Sequence, residues 1–103
     1  MTKLKLQPAP TFKAKVAIPV PGADAVEVEF TFKHRNRDEL KAFTDSMGER
    51  EDVDQVLAVA EGWELTDEFT RDNVAALVAN YFAAPRAIFF AYIDELTQAK
   101  EKN

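Results

Sequence analysis

The side chains that most often supply a nucleophile or a general base are scarce in this chain. It has one histidine, His34, one serine, Ser46, and no cysteine. Ser46 does not stand in the G-x-S-x-G pattern that exposes a serine nucleophile at a strand-to-helix turn. His34 lies in the segment KHR after a predicted strand, where a solvated or packed imidazole is far commoner than a catalytic one. The sequence therefore predicts no catalytic site, and we interpret the chain as a non-enzyme.

Carboxylates are dense in one short segment, at Glu49, Glu51, Asp52 and Asp54. Oxygen ligands of this kind bind Ca²⁺, but the segment lacks the D-x-[DN]-x-[DN]-G spacing and the later glutamate of an EF-hand loop. A solvated linker is the simpler interpretation. The three glycines are too far apart to form a phosphate-binding loop. We therefore predict neither a metal site nor a bound cofactor.

Composition limits the remaining function classes. The chain has 103 residues, 47% of them hydrophobic, which suffices for a single domain with one modest core. Its net charge of −5 argues against nucleic-acid binding, because phosphate contacts need a basic surface. No apolar run approaches the length that crosses a membrane, and the start of the chain lacks the apolar centre of a secretory signal. We expect a soluble, unprocessed protein.

Two segments near the N-terminus have the period-two alternation of strands. Residues 12–20 and 26–32 place apolar side chains on one face and Lys or Glu on the other. Between them, residues 21–24 have the sequence PGAD, which is typical of a turn and predicts an antiparallel hairpin. The preceding residues 1–10 contain two prolines and two lysines, and we expect them to form a flexible arm.

Helical periodicity begins after the second predicted strand. Asn36 and Glu39 have the spacing of a capping box, and Gly48 is a candidate left-handed helix stop. Asp52 and Gln55 repeat the capping spacing and predict the start of a second helix, with Ala60 in its apolar stripe.

Two further helices are predicted in the C-terminal part of the chain. Thr70 is the expected N-cap of the third, and Pro85 lies in the expected first turn of the fourth. The predicted fold class is therefore α+β: an N-terminal β-hairpin followed by about four short helices in a single compact domain over residues 11–98. Residues 99–103 are expected to form a polar tail.

The only tryptophan, Trp63, lies with Leu65 and Phe69 in the predicted connection between the second and third helices. A large aromatic among carboxylates could stack on a ligand, but such a role needs polar partners from other segments. Burial of each large apolar side chain contributes roughly 1.5–3 kcal/mol, so we favour the interpretation that these residues close the core.

Phe90 is predicted to project away from the apolar stripe of the fourth helix, on the side of three alanines. Small residues beside an aromatic would let a partner helix approach closely, although single exposed aromatics are also normal. The candidate partner-binding residues are Phe82, Ala83, Ala87, Phe90 and Ala91.

Three stretches of the sequence resemble a known family. They are FTFKHRNRDEL at residues 30–40, GWELTDEFTRDNVAALVANY at residues 62–81 and RAIFFAYIDELTQA at residues 86–99. Together they are similar, over nearly the whole chain, to the small tail assembly chaperones of tailed bacteriophages and prophages. The shared motifs are structural and carry no chemical signature.

This resemblance implies a non-enzymatic protein of the bacterial host cytoplasm. Members of the family are thought to coat the long helical tape-measure protein and keep it soluble until tail-tube subunits polymerise around it. The alternative is a structural virion component, such as a tail-completion or neck subunit, that remains in the particle. Contacts with the tail-tube protein and self-association stay open at this point.

Overall fold

The computed structural model describes residues 4–97. The predicted polar tail at residues 99–103 and the first three residues of the predicted arm lie outside this range. Within the arm, residues 4–10 form neither helix nor strand, and their side chains are exposed.

The predicted hairpin is confirmed. Strands β1 (Thr11–Ile18) and β2 (Val26–Lys33) pair in antiparallel register, from Thr11 opposite Lys33 to Ile18 opposite Val26. In the connecting turn Gly22 has a φ of 76°, a backbone conformation that L side chains rarely adopt. The register places the apolar residues of both strands on the same face of the sheet, as the period-two pattern requires.

A third strand extends the hairpin and corrects the sequence prediction. Strand β3 (Ala60–Trp63) pairs antiparallel with β2, so that the sheet order is β1-β2-β3. Phe30 lies opposite Trp63 and Phe32 opposite Ala60, with a register shift between them. Ala60 was predicted in a helix and Trp63 in a loop. Four residues are too short to show a period-two pattern, and the pairing depends on a distant strand.

Four α-helices follow the hairpin, as predicted. The first begins after the capping box, in which Asn36 Oδ1 accepts a hydrogen bond from the Glu39 backbone N–H at 2.8 Å and Glu39 Oε1 accepts from the Asn36 N–H at 2.8 Å. Thr70 caps the third helix through its hydroxyl oxygen, which accepts from the Asn73 N–H. The helices are α1 (Arg37–Asp45), α2 (Asp52–Val59), α3 (Arg71–Asn80) and α4 (Ala84–Thr97).

Two of the predicted helix boundaries are wrong. Helix α1 ends at Asp45, and the Ser46 N–H bonds back to the Ala42 and Phe43 carbonyls before a short 3-10 helix, so Gly48 is not a left-handed stop. Asp52 is already the first residue of α2, and the Gln55 N–H bonds to the Glu51 carbonyl. Gln55 is therefore not part of a capping box; its side chain is buried.

The core lies between one face of the sheet and the helices. Phe30 and Phe32 from β2 and Ile88 and Tyr92 from α4 are completely buried. The opposite face of the hairpin carries polar side chains, which include the exposed Lys13 and Lys15. Helix α4 therefore uses the side of Ile88 and Tyr92 to cover the sheet, and its other side is available for contacts outside the domain.

Tyr92 joins the sheet to the first helix through both its ring and its hydroxyl. The hydroxyl donates to the Lys33 carbonyl at 2.8 Å and accepts from Arg35 Nη1 at 2.9 Å. The Arg35 guanidinium also lies 4.1 Å from the centroid of the Phe43 ring, within the range of a cation–π contact. Burial raises the pKa of the Tyr92 hydroxyl above its ordinary value, and the neighbouring Arg35 partly opposes this shift.

Above pH 10, Tyr92 is expected to make the protein less stable as the pH rises. Because its pKa is raised on folding, the folded chain retains the phenolic proton at a pH where the unfolded chain loses it. Below about pH 10 this group contributes a constant amount, and above it the free energy of unfolding falls. Urea unfolding of the wild type and Tyr92→Phe from pH 8 to 11 checks this prediction, since the variant should lose part of the alkaline slope. Equal slopes in the two proteins would contradict it.

Candidate partner-binding surfaces

Ser46 and His34 are the two residues whose side chains could take part in catalysis, and each lies where the chain is hydrogen-bonded to a neighbouring segment. The Ser46 hydroxyl donates to the Phe43 carbonyl at 3.1 Å and accepts from Arg50 Nη2 at 2.9 Å, so it fastens the end of α1. His34 is half-buried just after β2, and its backbone N–H donates to the Pro10 carbonyl. Within residues 4–97, no group of three or more His, Cys, Asp or Glu side chains is arranged to hold a metal ion.

Trp63 is half-buried at the edge of the core. Its ring meets Phe30 and Phe69 edge-on, with centroid distances of 6.0 and 5.0 Å. The indole N–H donates to the Asp67 carbonyl at 2.7 Å, which fixes the loop that follows β3. Trp63 therefore packs against the core, as its position in the sequence predicted, but it does so from a strand and not from a loop.

A groove opens beside Trp63, between the turn end of the hairpin and α3. It has a volume of about 350 Å³, and Asp67 is the charged residue on its wall. We call it the Trp63 groove. Sequence reasoning missed it because its walls come from three separate segments. Its apolar lining residues are Ile18, Val20, Val26, Val28, Trp63, Leu65, Ala76, Leu77 and Tyr81.

The predicted partner-binding residues lie on the α3–α4 turn and on α4. Phe82, in the turn, is 97% exposed, and Phe90 is 50% exposed on the side of α4 that faces away from Tyr92. The three alanines, Ala83, Ala87 and Ala91, are half-buried, and the latter two also contact the core. The alanines thus border the exposed phenylalanines. We call these five residues the Phe82–Phe90 surface.

Phe90 is held in place by its neighbours on α4. The Phe89 ring meets it edge-on at 5.8 Å, and the Arg86 guanidinium lies 5.6 Å from its ring centroid. A shallow cleft of about 280 Å³ adjoins Phe90 and is lined also by Met47 and Gln55. The sequence did not indicate this cleft, because Met47 and Gln55 reach it from distant parts of the chain.

One polar atom at this cleft is unsatisfied. The Gln55 side chain is 9% exposed, and its Oε1 is buried with no hydrogen-bond partner among the described residues. A buried carbonyl oxygen without a donor costs about 1–3 kcal/mol.

Within residues 4–97, no single helix is both long and apolar enough to cross a membrane. Helices α3 and α4 together have sufficient length and apolar composition, but they are bent by 110° at their junction.

A three-stranded antiparallel sheet covered by four helices defines this chain as a small α+β domain. The family model of the phage tail assembly chaperones matches residues 1–103, and the chain belongs to that family. The resemblance read from the three sequence stretches is thereby confirmed. No match was found among curated proteins or solved structures.

Proposed function

We propose that this protein transiently binds the tape-measure protein and keeps it soluble while the phage tail assembles in the bacterial cytoplasm. Membership of the tail assembly chaperone family supports a role in tail assembly. The proposed activity is non-enzymatic: the chaperone covers apolar side chains of its client until tail-tube subunits replace it.

The exposure of Phe82 and Phe90 carries this proposal. The core is complete without either ring, because Tyr92 and Ile88 already cover the sheet from the other side of α4. Large exposed aromatics that do not contribute to the core are typical anchors of protein interfaces. Phe82 lies in the turn before α4 and Phe90 on the outer side of that helix, and we assign both to the surface that contacts the client.

Charge favours a basic or amphipathic client helix. The chain carries a net charge of −5, which attracts basic segments and disfavours close approach of unrelated acidic proteins. Apolar residues on the client helix would pack against Phe90 and the bordering alanines. This is helix-in-groove recognition, in which the apolar face supplies affinity and the surrounding charges set orientation.

Phe90→Asp is expected to weaken binding to the tape-measure protein about thirtyfold, which corresponds to about 2 kcal/mol. The charge would have to be buried against the apolar face of the client. The domain itself should fold normally, because Phe90 is half-exposed and lies opposite the buried side of α4. Titration calorimetry with purified client fragments measures the binding, and thermal unfolding measures the stability.

Ala17→Asp is the matched control, because it adds the same charge at an exposed site on β1. Since Ala17 lies opposite Glu27, the thermal unfolding of this variant is measured as well. It should bind the client like the wild type. If Phe90→Asp unfolds the domain, Phe90 belongs to the core. If Phe90→Asp folds and binds with unchanged affinity, the client contacts another surface, such as the exposed sheet edge.

A protein that acts transiently should be absent from finished particles. Mass spectrometry of purified virions and of the cell lysate tests this, with the tail-tube protein as an internal standard. We expect the chain in the lysate and not in virions. Its presence in virions at a fixed ratio to the tail-tube protein would instead identify a structural component that remains in the particle.

A further inference from the structure

The N-terminal arm exposes two large apolar side chains. Leu4 and Leu6 are 91% and 89% exposed, and Leu4 is more exposed than either Phe90 or Leu65. In the sequence these leucines alternate with Lys3 and Lys5. This period-two pattern is that of a strand with one apolar and one basic face, and the described residues 4–10 form no strand of their own.

The Trp63 groove has the chemistry to accept such a segment. Its rim presents Val26, 54% exposed, and Leu65, 40% exposed, and its volume of about 350 Å³ lies in the range of sites that hold several apolar groups. Asp67 is the charged residue among those that line it.

Charge distinguishes the arm from the rest of the chain. Residues 1–10 contain Lys3 and Lys5 and no acidic residue, whereas the whole chain has a net charge of −5. The folded body is therefore more acidic than the chain as a whole. An arm with two lysines is attracted to an acidic body, and Asp67 is the acidic residue among those that line the groove.

The arm cannot readily fill the groove of its own chain. The His34 N–H holds the Pro10 carbonyl, so the reach of the arm is counted from Pro10. The Trp63 wall of the groove is level with Ala14 in the strand register, but the core face of β1 that leads to it is covered by Tyr92 on α4. Along the open edge of β1, Ile18 lies about 27 Å from Pro10, whereas Leu4 reaches at most roughly 20 Å at about 3.3 Å per residue. Core side chains on the inner face of β1 fill the shortest path.

We propose that the arm of one copy docks in the Trp63 groove of a second copy, with Leu4 and Leu6 in the groove and its lysines beside Asp67. Because each copy has one arm and one groove, reciprocal exchange closes a two-fold dimer. The apolar contact supplies the affinity, and the opposite charges align the arm. This dimer involves residues outside the Phe82–Phe90 surface and does not depend on binding of the tape-measure protein.

Sedimentation velocity of the full chain across a concentration series tests the dimer. We expect reversible dimers for the wild type and, for the double variant Leu4→Asp with Leu6→Asp, a dimer dissociation constant raised at least about tenfold. At concentrations well below the dimer dissociation constant the melting temperature should not change, since the arm lies outside the core. Leu65→Asp in the groove should weaken the dimer similarly, and the control Ala17→Asp should not.

Mixing the two kinds of variant shows whether the arm and the groove meet each other. The arm variant retains an intact groove and the Leu65→Asp variant retains an intact arm, so their mixture should form a heterodimer through one remaining contact. A wild type that stays monomeric up to about 1 mM would overturn the proposal. It would also be overturned by a dimer that the arm variants leave unchanged, or by arm variants that lose only client binding.

Discussion

Replacing Tyr92 with Ala is expected to lower the free energy of unfolding by about 4 kcal/mol. The Tyr92 ring is completely buried and lies 5.4 Å from the Phe32 ring and 6.2 Å from the Phe43 ring, measured between centroids. Its removal leaves a cavity between sheet and helices. It also leaves the Lys33 carbonyl without its donor and Arg35 without its acceptor.

Such a loss is a large fraction of the 5–15 kcal/mol that stabilises a typical domain. Urea unfolding followed by circular dichroism measures it. Tyr81→Ala is the matched control, because Tyr81 is half-buried on the wall of the Trp63 groove and should cost clearly less. A loss below about 1 kcal/mol for Tyr92→Ala would show that α4 is held to the sheet by other contacts.

Trp63→Ala is expected to cost about 3 kcal/mol. The substitution removes the edge contacts with Phe30 and Phe69 and the hydrogen bond from the indole to the Asp67 carbonyl. Trp63 is half-buried, so the expected loss is smaller than for Tyr92. The loop after β3 should lose its anchor at the same time, and the Trp63 groove should lose one wall.

Thermal unfolding of Trp63→Ala beside Trp63→Phe separates these contributions. The Phe variant retains an aromatic ring against Phe30 and lacks the indole hydrogen bond, so it should lose only about 1 kcal/mol. If Trp63→Ala melts within a degree or two of the wild type, Trp63 does not close the core, and its place on the groove wall becomes its main role.

Periodicity predicted most of the fold because each long element keeps its apolar side chains on one face. Residues 12–18 and 26–32 keep their apolar core side chains at every second position, and the register follows once the turn at Gly22 is set, although the predicted residues 19 and 20 lie beyond the end of β1. In α4 the helical phase separated Tyr92, which is buried, from Phe90, which is exposed. Local spacing was sufficient in these cases because one face of each element meets the core.

Short elements and helix ends depend on contacts with distant residues, which the local spacing of residue types does not reveal. Strand β3 exists because residues 60–63 pair with β2, and four residues carry too little pattern to show it. Asn36 and Asp52 both have the capping spacing, yet only Asn36 forms the box. Near Asp52 the helix begins one residue earlier, and Gln55 turns into the interior instead.

The Phe82–Phe90 surface and the Trp63 groove differ in the same way, because the first depends on local spacing and the second on contacts between distant segments. The exposure of Phe90 depends on one helix, and the sequence predicted it. The Trp63 groove depends on a turn, a strand and α3, which come together only in the folded domain. The unsatisfied Gln55 beside Phe90 likewise required knowledge of which residues face α4.

Co-expression of the tape-measure protein with this chain tests the central claim most directly. The fraction of tape-measure protein that stays in the supernatant after centrifugation is measured as the level of the chaperone is raised, with the wild type, Phe90→Asp and Ala17→Asp in parallel. We predict that the wild type and Ala17→Asp keep the client soluble at the same ratio, and that Phe90→Asp fails at that ratio although it is itself folded and soluble. A client that aggregates equally with and without the wild-type chain, or that is kept soluble equally well by Phe90→Asp, would contradict the account.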